Sequence, residues 1–170
     1  MTVYVGLLRA VNVGGTGKLP MADLKAMCEA AGFTNVETYI ASGNVVFDAR
    51  GAEGIVKTRL ESRLQAYAGK AVDVFVRTAP EMAAVLAANP FPDTPANLTM
   101  AVFLDTAPPA DTLTSITGQA DEEVRLGKRE IYIRYPYGQA ATKLKVRAAA
   151  AGTARNMNTV AKLAAMAAAR

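Results

Sequence analysis

The chain has 170 residues, of which 51% are hydrophobic and 20% charged, a composition that excludes an intrinsically disordered chain. It contains no histidine, no tryptophan and one cysteine, Cys28, which excludes imidazole catalysis, cysteine-rich zinc sites and intrachain disulfides. We therefore expect neither a metal site nor a bound cofactor. The apolar start, Val3–Leu8, is too short for a secretory signal, and no apolar run approaches the roughly 18 residues of a membrane span. We expect a cytoplasmic protein without a membrane partner.

The net charge of +4 is unevenly distributed along the chain. Residues 1–78 carry a net charge of +2, residues 79–124 contain no lysine or arginine and carry −7, and residues 125–170 carry +9. The basic last segment favours a phosphate-bearing partner. Alternatively, it neutralises the acidic segment before it when both pack in one domain.

The first 77 residues predict the element order βαββαβ. A mostly apolar run predicts a central strand at Val3–Leu8, and two β-prone runs predict strands at Val36–Ile40 and Val45–Phe47. Alternating valines predict a closing strand at Val72–Val76. Helical spacing predicts a helix between Pro20 and Gly32, and a second helix carrying Val56, Leu60, Leu64 and Tyr67 on one face.

This order is that of the ferredoxin-like plait, an α+β fold in which two split βαβ units form an antiparallel sheet with both helices on one face. Strands 1 and 2 run in the same direction in this topology. The loop after strand 1, residues 9–18, should therefore lie beside the turn between strands 2 and 3, residues 42–44. We predict a first domain over residues 1–78.

Residues 79–170 predict a second, incomplete plait-like domain that ends in helices. Thr78 and Glu81 fit a capping box at the start of a helix. Strands are predicted at Leu98–Leu104, Glu122–Leu126 and Ile131–Arg134. Helices are predicted at Asp111–Thr117, Ala140–Ala151 and Ala154–Ala169, the last with Thr153 as its N-cap.

The loop after the first strand is rich in glycine and is flanked by two cations, Arg9 and Lys18. It is not a phosphate-binding P-loop, because Asn12 stands where the first motif glycine is required and Leu19 where a magnesium-binding Ser/Thr is required. Two interpretations stay open. Gly14 and Gly15 let backbone N–H groups converge on an anion, or they form a turn that needs positive φ.

Two further segments have the same double interpretation. The turn Ser42, Gly43, Asn44 is either simple hairpin chemistry or part of an anion site with the glycine-rich loop. Near the C-terminus, a helical turn would present Arg155, Asn156 and Thr159 together. This arrangement suits phosphate or carboxylate, whereas the alternative is an ordinary helix cap.

Two motifs favour a structural role. Lys128–Tyr135 matches only part of an RNA-binding aromatic signature, because Arg129 and Glu130 replace the required glycine and first aromatic residue. Cys28 lies on the apolar face of the first predicted helix and has no histidine to activate it.

The chain as a whole resembles a bacterial family of unknown function, the domain-of-unknown-function family numbered sixteen ninety-seven. The residues that carry the resemblance are Arg9, Asn12, Val13, Gly14, Gly15, Met21, Leu24, Thr38, Tyr39, Ile40, Ser42, Gly43, Asn44, Phe47, Asn89, Pro90, Phe91, Tyr132, Tyr135, Pro136, Gly138, Lys143, Leu144, Thr153, Arg155, Asn156, Asn158, Thr159, Lys162 and Leu163. The departures are Ala10 for a usual glycine, Thr142 for a usual serine and Met157 for a usual tryptophan. The resemblance implies a pair of plait-like subdomains and implies no activity.

The leading hypothesis is a protein that binds a small phosphate- or carboxylate-bearing ligand, such as a nucleotide or a metabolite. The predicted binding residues are Arg9, Asn12, Gly14, Gly15, Lys18, Ser42, Gly43 and Asn44, joined by Arg155, Asn156 and Thr159.

Two other hypotheses stay open. The first is nucleic-acid binding by the basic last segment through Arg125, Lys128, Arg129, Arg134, Lys143, Lys145 and Arg147. The second is a histidine-independent enzyme that uses arginine electrostatics with Glu37, Asp48 or Tyr39 as acid or base. A structural role, in which the polar clusters join the subdomains, is the plain alternative.

Overall fold

The computed structural model describes residues 1–13 and 17–170. Their contacts divide into two compact units. The first contains Met1–Met82 together with Leu163–Arg170, and the second contains Ala83–Lys162. The sequence-based boundary lay at 78/79, with every later residue in the second domain, so the structure differs in assigning the last eight residues to the first unit.

The described residues form an α+β chain with two antiparallel four-stranded sheets and four α-helices. The strands are β1 Thr2–Leu8, β2 Thr34–Tyr39, β3 Asn44–Ala49, β4 Val74–Thr78, β5 Thr99–Phe103, β6 Glu123–Leu126, β7 Glu130–Arg134 and β8 Thr153–Asn156. The helices are α1 Met21–Ala30, α2 Glu53–Ala68, α3 Ala79–Ala87 and α4 Met157–Ala168. The mixed class and the predicted βαββαβ order of the first half are confirmed.

The sheet of the first unit has the strand order β2-β3-β1-β4. One face carries alternating apolar side chains, and Val56, Leu60 and Leu64 of α2 are buried in the same core. At the centre of this core the rings of Phe33 and Phe47 stack with centroids 4.3 Å apart. Burial of the sheet face against two amphipathic helices is what holds this unit together.

The sheet of the second unit has the corresponding order, β6-β7-β5-β8. The long connections after β5 and after β7 contain turns and a 3-10 segment, Arg147–Ala151. A core of buried apolar residues that includes Val102, Ile131 and Ile133 lies against this sheet. The predicted capping box of α3 is confirmed, because Thr78 N–H donates to Glu81 and Glu81 N–H donates to the Thr78 hydroxyl.

Two helix predictions for the second half were wrong, and a third placed the start of its helix too early. Residues 111–115 form turns, Thr117 forms an isolated bridge with Lys145, and only residues 147–151 of the predicted helix Ala140–Ala151 are helical, as a 3-10 segment. The segment Thr153–Asn156 is strand β8, paired with β5, so the last helix begins at Met157. Alanine favours helix locally, but the backbone N–H and C=O groups of β5 offer this segment a ladder of hydrogen bonds that sequence propensity does not register.

None of the helices in residues 1–13 and 17–170 is long and apolar enough to cross a membrane.

Cys28 is fully buried in α1, as the sequence predicted, and its burial makes a testable prediction about its reactivity. Burial, with a smaller contribution from the charge of Glu29, raises the pKa of the thiol to about 12. Because the thiolate is the reactive species, the native protein at pH 8 should react with a disulfide reagent only as fast as it unfolds. Stopped-flow labelling measures this rate, and protein in guanidinium, where the thiol is exposed, is the control. Rapid labelling of native protein would contradict the buried position.

Candidate functional site

The loop after β1 lies beside the turn that joins β2 to β3. Leu7 of β1 and Tyr39 of β2 both pair with Asn44 of β3, and Leu8 N–H donates to the Gly43 carbonyl at 2.9 Å. This is the juxtaposition that the parallel direction of β1 and β2 predicted. The sheet therefore brings together two loops that are about 30 residues apart in sequence.

Asn12 fastens the loop to this turn through both ends of its side-chain amide. Its Oδ1 accepts a hydrogen bond from Leu19 N–H at 2.6 Å, and its Nδ2 donates to the carbonyls of Leu19 at 2.9 Å and Ala41 at 2.8 Å. The backbone of Asn12 has φ +56°, a left-handed conformation that asparagine tolerates better than most residues. The loop is thus closed at its base by one side chain.

The turn itself is shaped by Gly43 and Asn44. Gly43 has φ +89°, and a Cβ there would lie 2.6 Å from Val11 Cγ2 and 2.9 Å from Leu8 Cβ. Asn44 is fully buried, and its Nδ2 donates to the Tyr39 carbonyl and the Ser42 hydroxyl, each at 2.9 Å. Close backbone approach and internal hydrogen bonds therefore define this corner of the sheet.

A cleft of about 690 Å³ opens between this loop and the start of α1. Its lining among the described residues consists of Asn12, Val13, Gly17, Lys18, Leu19, Pro20, Met21 and Ala41. Lys18 is exposed and makes no ion pair with any described residue. The walls are otherwise mostly apolar, so the cleft combines one cation with a hydrophobic surface.

The start of α1 adds a second positive element to the cleft. Pro20 is the N-cap, and no side chain caps the helix, so the positive end of the helix dipole faces the segment that lines the cleft. The one acid of the first turn, Asp23, accepts a hydrogen bond from the Tyr67 hydroxyl at 2.7 Å, and this bond raises the pKa of Tyr67. No cluster of three or more metal-ligating side chains occurs among the residues that the structure describes.

The remaining predicted residues of the first loop have different positions. Arg9 Nη1 lies 3.9 Å from Asp73 Oδ2, with both side chains about half exposed, and Arg9 is not among the residues that line the cleft. An exposed pair of this kind contributes little to stability. Gly14 and Gly15 lie outside the described residues.

Arg155, Asn156 and Thr159 belong to the second unit, and their local setting differs from the predicted helical turn. Arg155 lies in β8, is 6% exposed, and donates through Nη1 to the Thr153 hydroxyl and the Ala154 carbonyl. Its burial lowers the pKa of the guanidinium to about 10. Asn156 Oδ1 accepts from Thr159 N–H at 3.0 Å, so Asn156 caps α4 and the prediction of a Thr153 cap was wrong.

The two carboxylates considered for acid or base catalysis, Glu37 and Asp48, both form ion pairs with Arg170. Arg170 Nη2 lies 3.1 Å from Glu37 Oε1, and Arg170 Nη1 lies 3.3 Å from Asp48 Oδ1. Two ion pairs to one largely buried guanidinium give these acids a structural partner. No described contact of Glu37 or Asp48 indicates a catalytic role, and enzyme activity stays a prediction.

The seven basic residues considered for nucleic-acid binding fall into two groups. Arg125 and Arg134 both lie 3.7 Å from Glu123, and Arg129 Nε donates to the Asp105 carbonyl at 2.9 Å. The other four make no ion pair with any residue in the described part of the chain: Lys128, Lys143, Lys145 and Arg147. The acidic segment thus neutralises part of the basic block, and nucleic-acid binding stays a prediction.

The apolar wall of the cleft was not predicted from the sequence. Val13 and Ala41 are exposed and Met21 is half buried, and these residues were assigned to loops or to a helix face. The available signal was Val13, an apolar residue directly before the glycines of the loop.

Comparison with known proteins agrees with this architecture and adds a family. Comparison with curated proteins gives no match. The conserved bacterial protein SP0830 from Streptococcus pneumoniae is similar in structure, with a TM-score of 0.81, 25% sequence identity and 98% of each chain covered. The family model described as "Protein of unknown function (DUF1697)" matches residues 1–132. The chain therefore belongs to the DUF1697 family of proteins of unknown function.

Proposed function

We propose that this protein binds a small organic phosphate or carboxylate in the cleft beside Asn12. The observation that carries the proposal is the closed loop: one amide, that of Asn12, fastens the segment before Lys18 to the β2–β3 turn and leaves Lys18 exposed at the cleft. Lys18 supplies a mobile cation for the anionic group. The uncapped start of α1 adds positive potential on the same side.

The polar residues of the site have two roles in this proposal. Lys18 contacts the ligand, while Asn12, Ser42, Gly43 and Asn44 shape the cleft, since the amides of Asn12 and Asn44 are already hydrogen-bonded within the protein. Arg9 contributes to the electrostatic potential at the far end of the loop. Contributions from Gly14 and Gly15, and from Arg155, Asn156 and Thr159, stay predictions.

The apolar walls indicate that the ligand is more than an inorganic anion. A volume of about 690 Å³ is within the range of pockets for small organic molecules. Val13, Leu19 and Met21 would cover an aliphatic or planar part of the ligand while Lys18 holds the charge. Nucleotides, aromatic acids and short acyl phosphates have this combination.

The test is binding by the full chain to a panel of phosphorylated and carboxylated metabolites and nucleotides, each paired with its neutral counterpart. A ligand at about a hundred times its Kd adds about 2.7 kcal/mol of stability, which should raise Tm by roughly 5–10 °C. Lys18→Ala should lower the affinity for the tightest-binding anionic ligand about fivefold to tenfold, as measured by calorimetry, because one charge-assisted contact is lost.

Lys25→Ala is the matched control, because Lys25 is an exposed lysine of α1 in the same unit and does not line the cleft. It should leave the affinity unchanged. Arg9→Ala reports whether the far end of the loop participates. A panel without any anion-dependent shift, or equal loss in Lys18→Ala and Lys25→Ala, would remove the proposal.

We also infer that each unit is a ferredoxin-like plait, the second one incomplete. The strand orders β2-β3-β1-β4 and β6-β7-β5-β8 support this assignment, since both place the first and third strands of the unit at the centre of an antiparallel sheet. Helices α1 and α2 cross over between strands in the first unit, whereas irregular segments replace them in the second.

We also propose a cytoplasmic location, because the sequence contains a single cysteine and therefore no pair that could form an intrachain disulfide.

A further inference from the structure

A second cleft, of about 570 Å³, lies wholly within the second unit and shares no residue with the cleft proposed above. Apolar side chains form part of its lining, and Ile133 and Val146 belong to the buried core of the unit, with Tyr135 and Leu144 packed against that core. Ser115, Thr117 and Tyr135 bring hydroxyl groups, and Lys145 and Arg147 bring positive charge. The cleft therefore has an apolar floor and a polar, cationic rim.

The apolar floor and the cationic rim arise because side chains along the segment Lys143–Arg147 alternate in direction. Lys145 and Thr117 form a two-bond bridge, with Lys145 N–H donating to the Thr117 carbonyl at 2.8 Å and Thr117 N–H donating to the Lys145 carbonyl at 3.1 Å. In extended backbone, successive side chains point to opposite sides. Val146 is accordingly buried while Lys145 and Arg147 are exposed, so the bridge fixes two cations beside an apolar surface.

The two cations of the rim are available to a ligand. Neither Lys145 nor Arg147 makes an ion pair with any residue in 1–13 or 17–170. Glu122, which directly precedes β6, accepts hydrogen bonds from the Thr142 hydroxyl and from Ala120 N–H, and these bonds lower its pKa. Burial, and secondarily the charge of Glu122, raise the pKa of Tyr135, so its hydroxyl stays a neutral donor near pH 7.

We propose that this cleft is a binding site for a small organic phosphate with an apolar body, in which Lys145 and Arg147 bind the phosphate and the Ile133–Leu144–Val146 surface covers the body. Arginine recognises a phosphate through paired N–H donors and lysine acts as a compact point charge, so together they match a dianion. The hydroxyls of Thr117 and Tyr135 supply further donors at the same rim. The concave apolar floor favours a small molecule over an extended nucleic-acid strand, for which a continuous basic surface is the usual interface.

The experiment uses 1-naphthyl phosphate as the anionic probe and 1-naphthol as its neutral counterpart, titrated into the isotopically labelled full chain. Amide chemical-shift changes should be concentrated at residues 115–118, 133–135 and 144–150. Lys145→Ala/Arg147→Ala should lower the affinity for 1-naphthyl phosphate at least about tenfold, because two charge-assisted contacts are lost. The affinity for 1-naphthol should change by no more than about twofold, because the apolar surface is kept.

Matched variants separate this site from its alternatives. Lys128→Ala/Lys143→Ala removes the same charge from exposed lysines of the same unit that do not line the cleft, and it should bind as the wild type does. The swap Lys145→Arg/Arg147→Lys should keep the affinity within about threefold. Lys18→Ala should have no effect here, which keeps a failure at the first cleft distinguishable from a failure at this one.

Three results would overturn the proposal. The first is unchanged affinity in Lys145→Ala/Arg147→Ala, and the second is a set of shifts that maps outside the cleft. The third is tighter binding of an oligouridylate than of the probe, lost equally in both double variants and falling steeply with salt, which would assign these lysines to a nucleic-acid surface instead.

Discussion

Gly118→Ala should be among the most destabilising small substitutions in the second unit, lowering stability by about 3 kcal/mol and Tm by roughly 6–12 °C. Gly118 has φ +70°, a backbone conformation that costs an alanine about 1 kcal/mol. The larger contribution is steric, because a Cβ would lie 1.9 Å from the Lys143 carbonyl oxygen and 2.7 Å from its carbon. The segments 117–118 and 143–145 would have to separate, which would break the Thr117–Lys145 bridge.

Gly138→Ala is the control for Gly118→Ala, and calorimetry measures both. Gly138 lies in the same unit with φ +82°, but a Cβ there meets nothing within 4 Å. Gly138→Ala should lose only the stability that corresponds to an alanine at positive φ, about 1 kcal/mol. Equal changes in Tm for the two variants would mean that the close backbone approach at Gly118 is not present in solution.

Asn12→Ala should open the base of the glycine-rich loop and weaken anion binding at the Lys18 cleft by about tenfold. The substitution removes one accepted and two donated hydrogen bonds, of which those to the Leu19 backbone close the loop and that to Ala41 joins it to the β2–β3 turn. Each bond contributes about 1 kcal/mol, less where water reaches it, so a loss of about 2 kcal/mol and 4–8 °C in Tm is expected. Because Leu19 N–H donates to Asn12 Oδ1, its hydrogen exchange should accelerate strongly.

Asn35→Ala is the matched variant for this prediction. Asn35 also has positive φ, +53°, is exposed and lies in the same unit, so its replacement removes an asparagine from left-handed backbone without touching the loop. Asn12→Asp separates the contacts further, since it keeps the acceptor for Leu19 N–H and loses both donations. Unchanged exchange of the Leu19 amide in Asn12→Ala would show that this side chain does not hold the loop.

The local elements were predictable wherever one segment's own pattern decides its structure. The apolar run Val3–Leu8 predicts a central strand, and helical spacing at Val56, Leu60 and Leu64 requires burial of one helix face. The structure buries β1 from Tyr4 to Leu8 and these three residues of α2. The capping box of Thr78 and Glu81 is similarly local, because the two partners are only three positions apart in the chain. Strand β8 is the counterexample, because its hydrogen bonds come from β5, about fifty residues earlier.

What the sequence by itself determined is the order of elements in the first half and, through the direction of β1 and β2, the meeting of the glycine-rich loop with the Ser42–Asn44 turn. Only the tertiary structure decided which polar groups are free. From the sequence, the side-chain amides of Asn12 and Asn44 could bind either a ligand or the backbone. In the structure Asn12 donates to the Leu19 carbonyl and Asn44 to the Tyr39 carbonyl, so both amides bind the backbone. The physical reason is that a hydrogen-bonding group has a limited number of partners, and those partners are set by three-dimensional distance, which residue type and spacing do not encode.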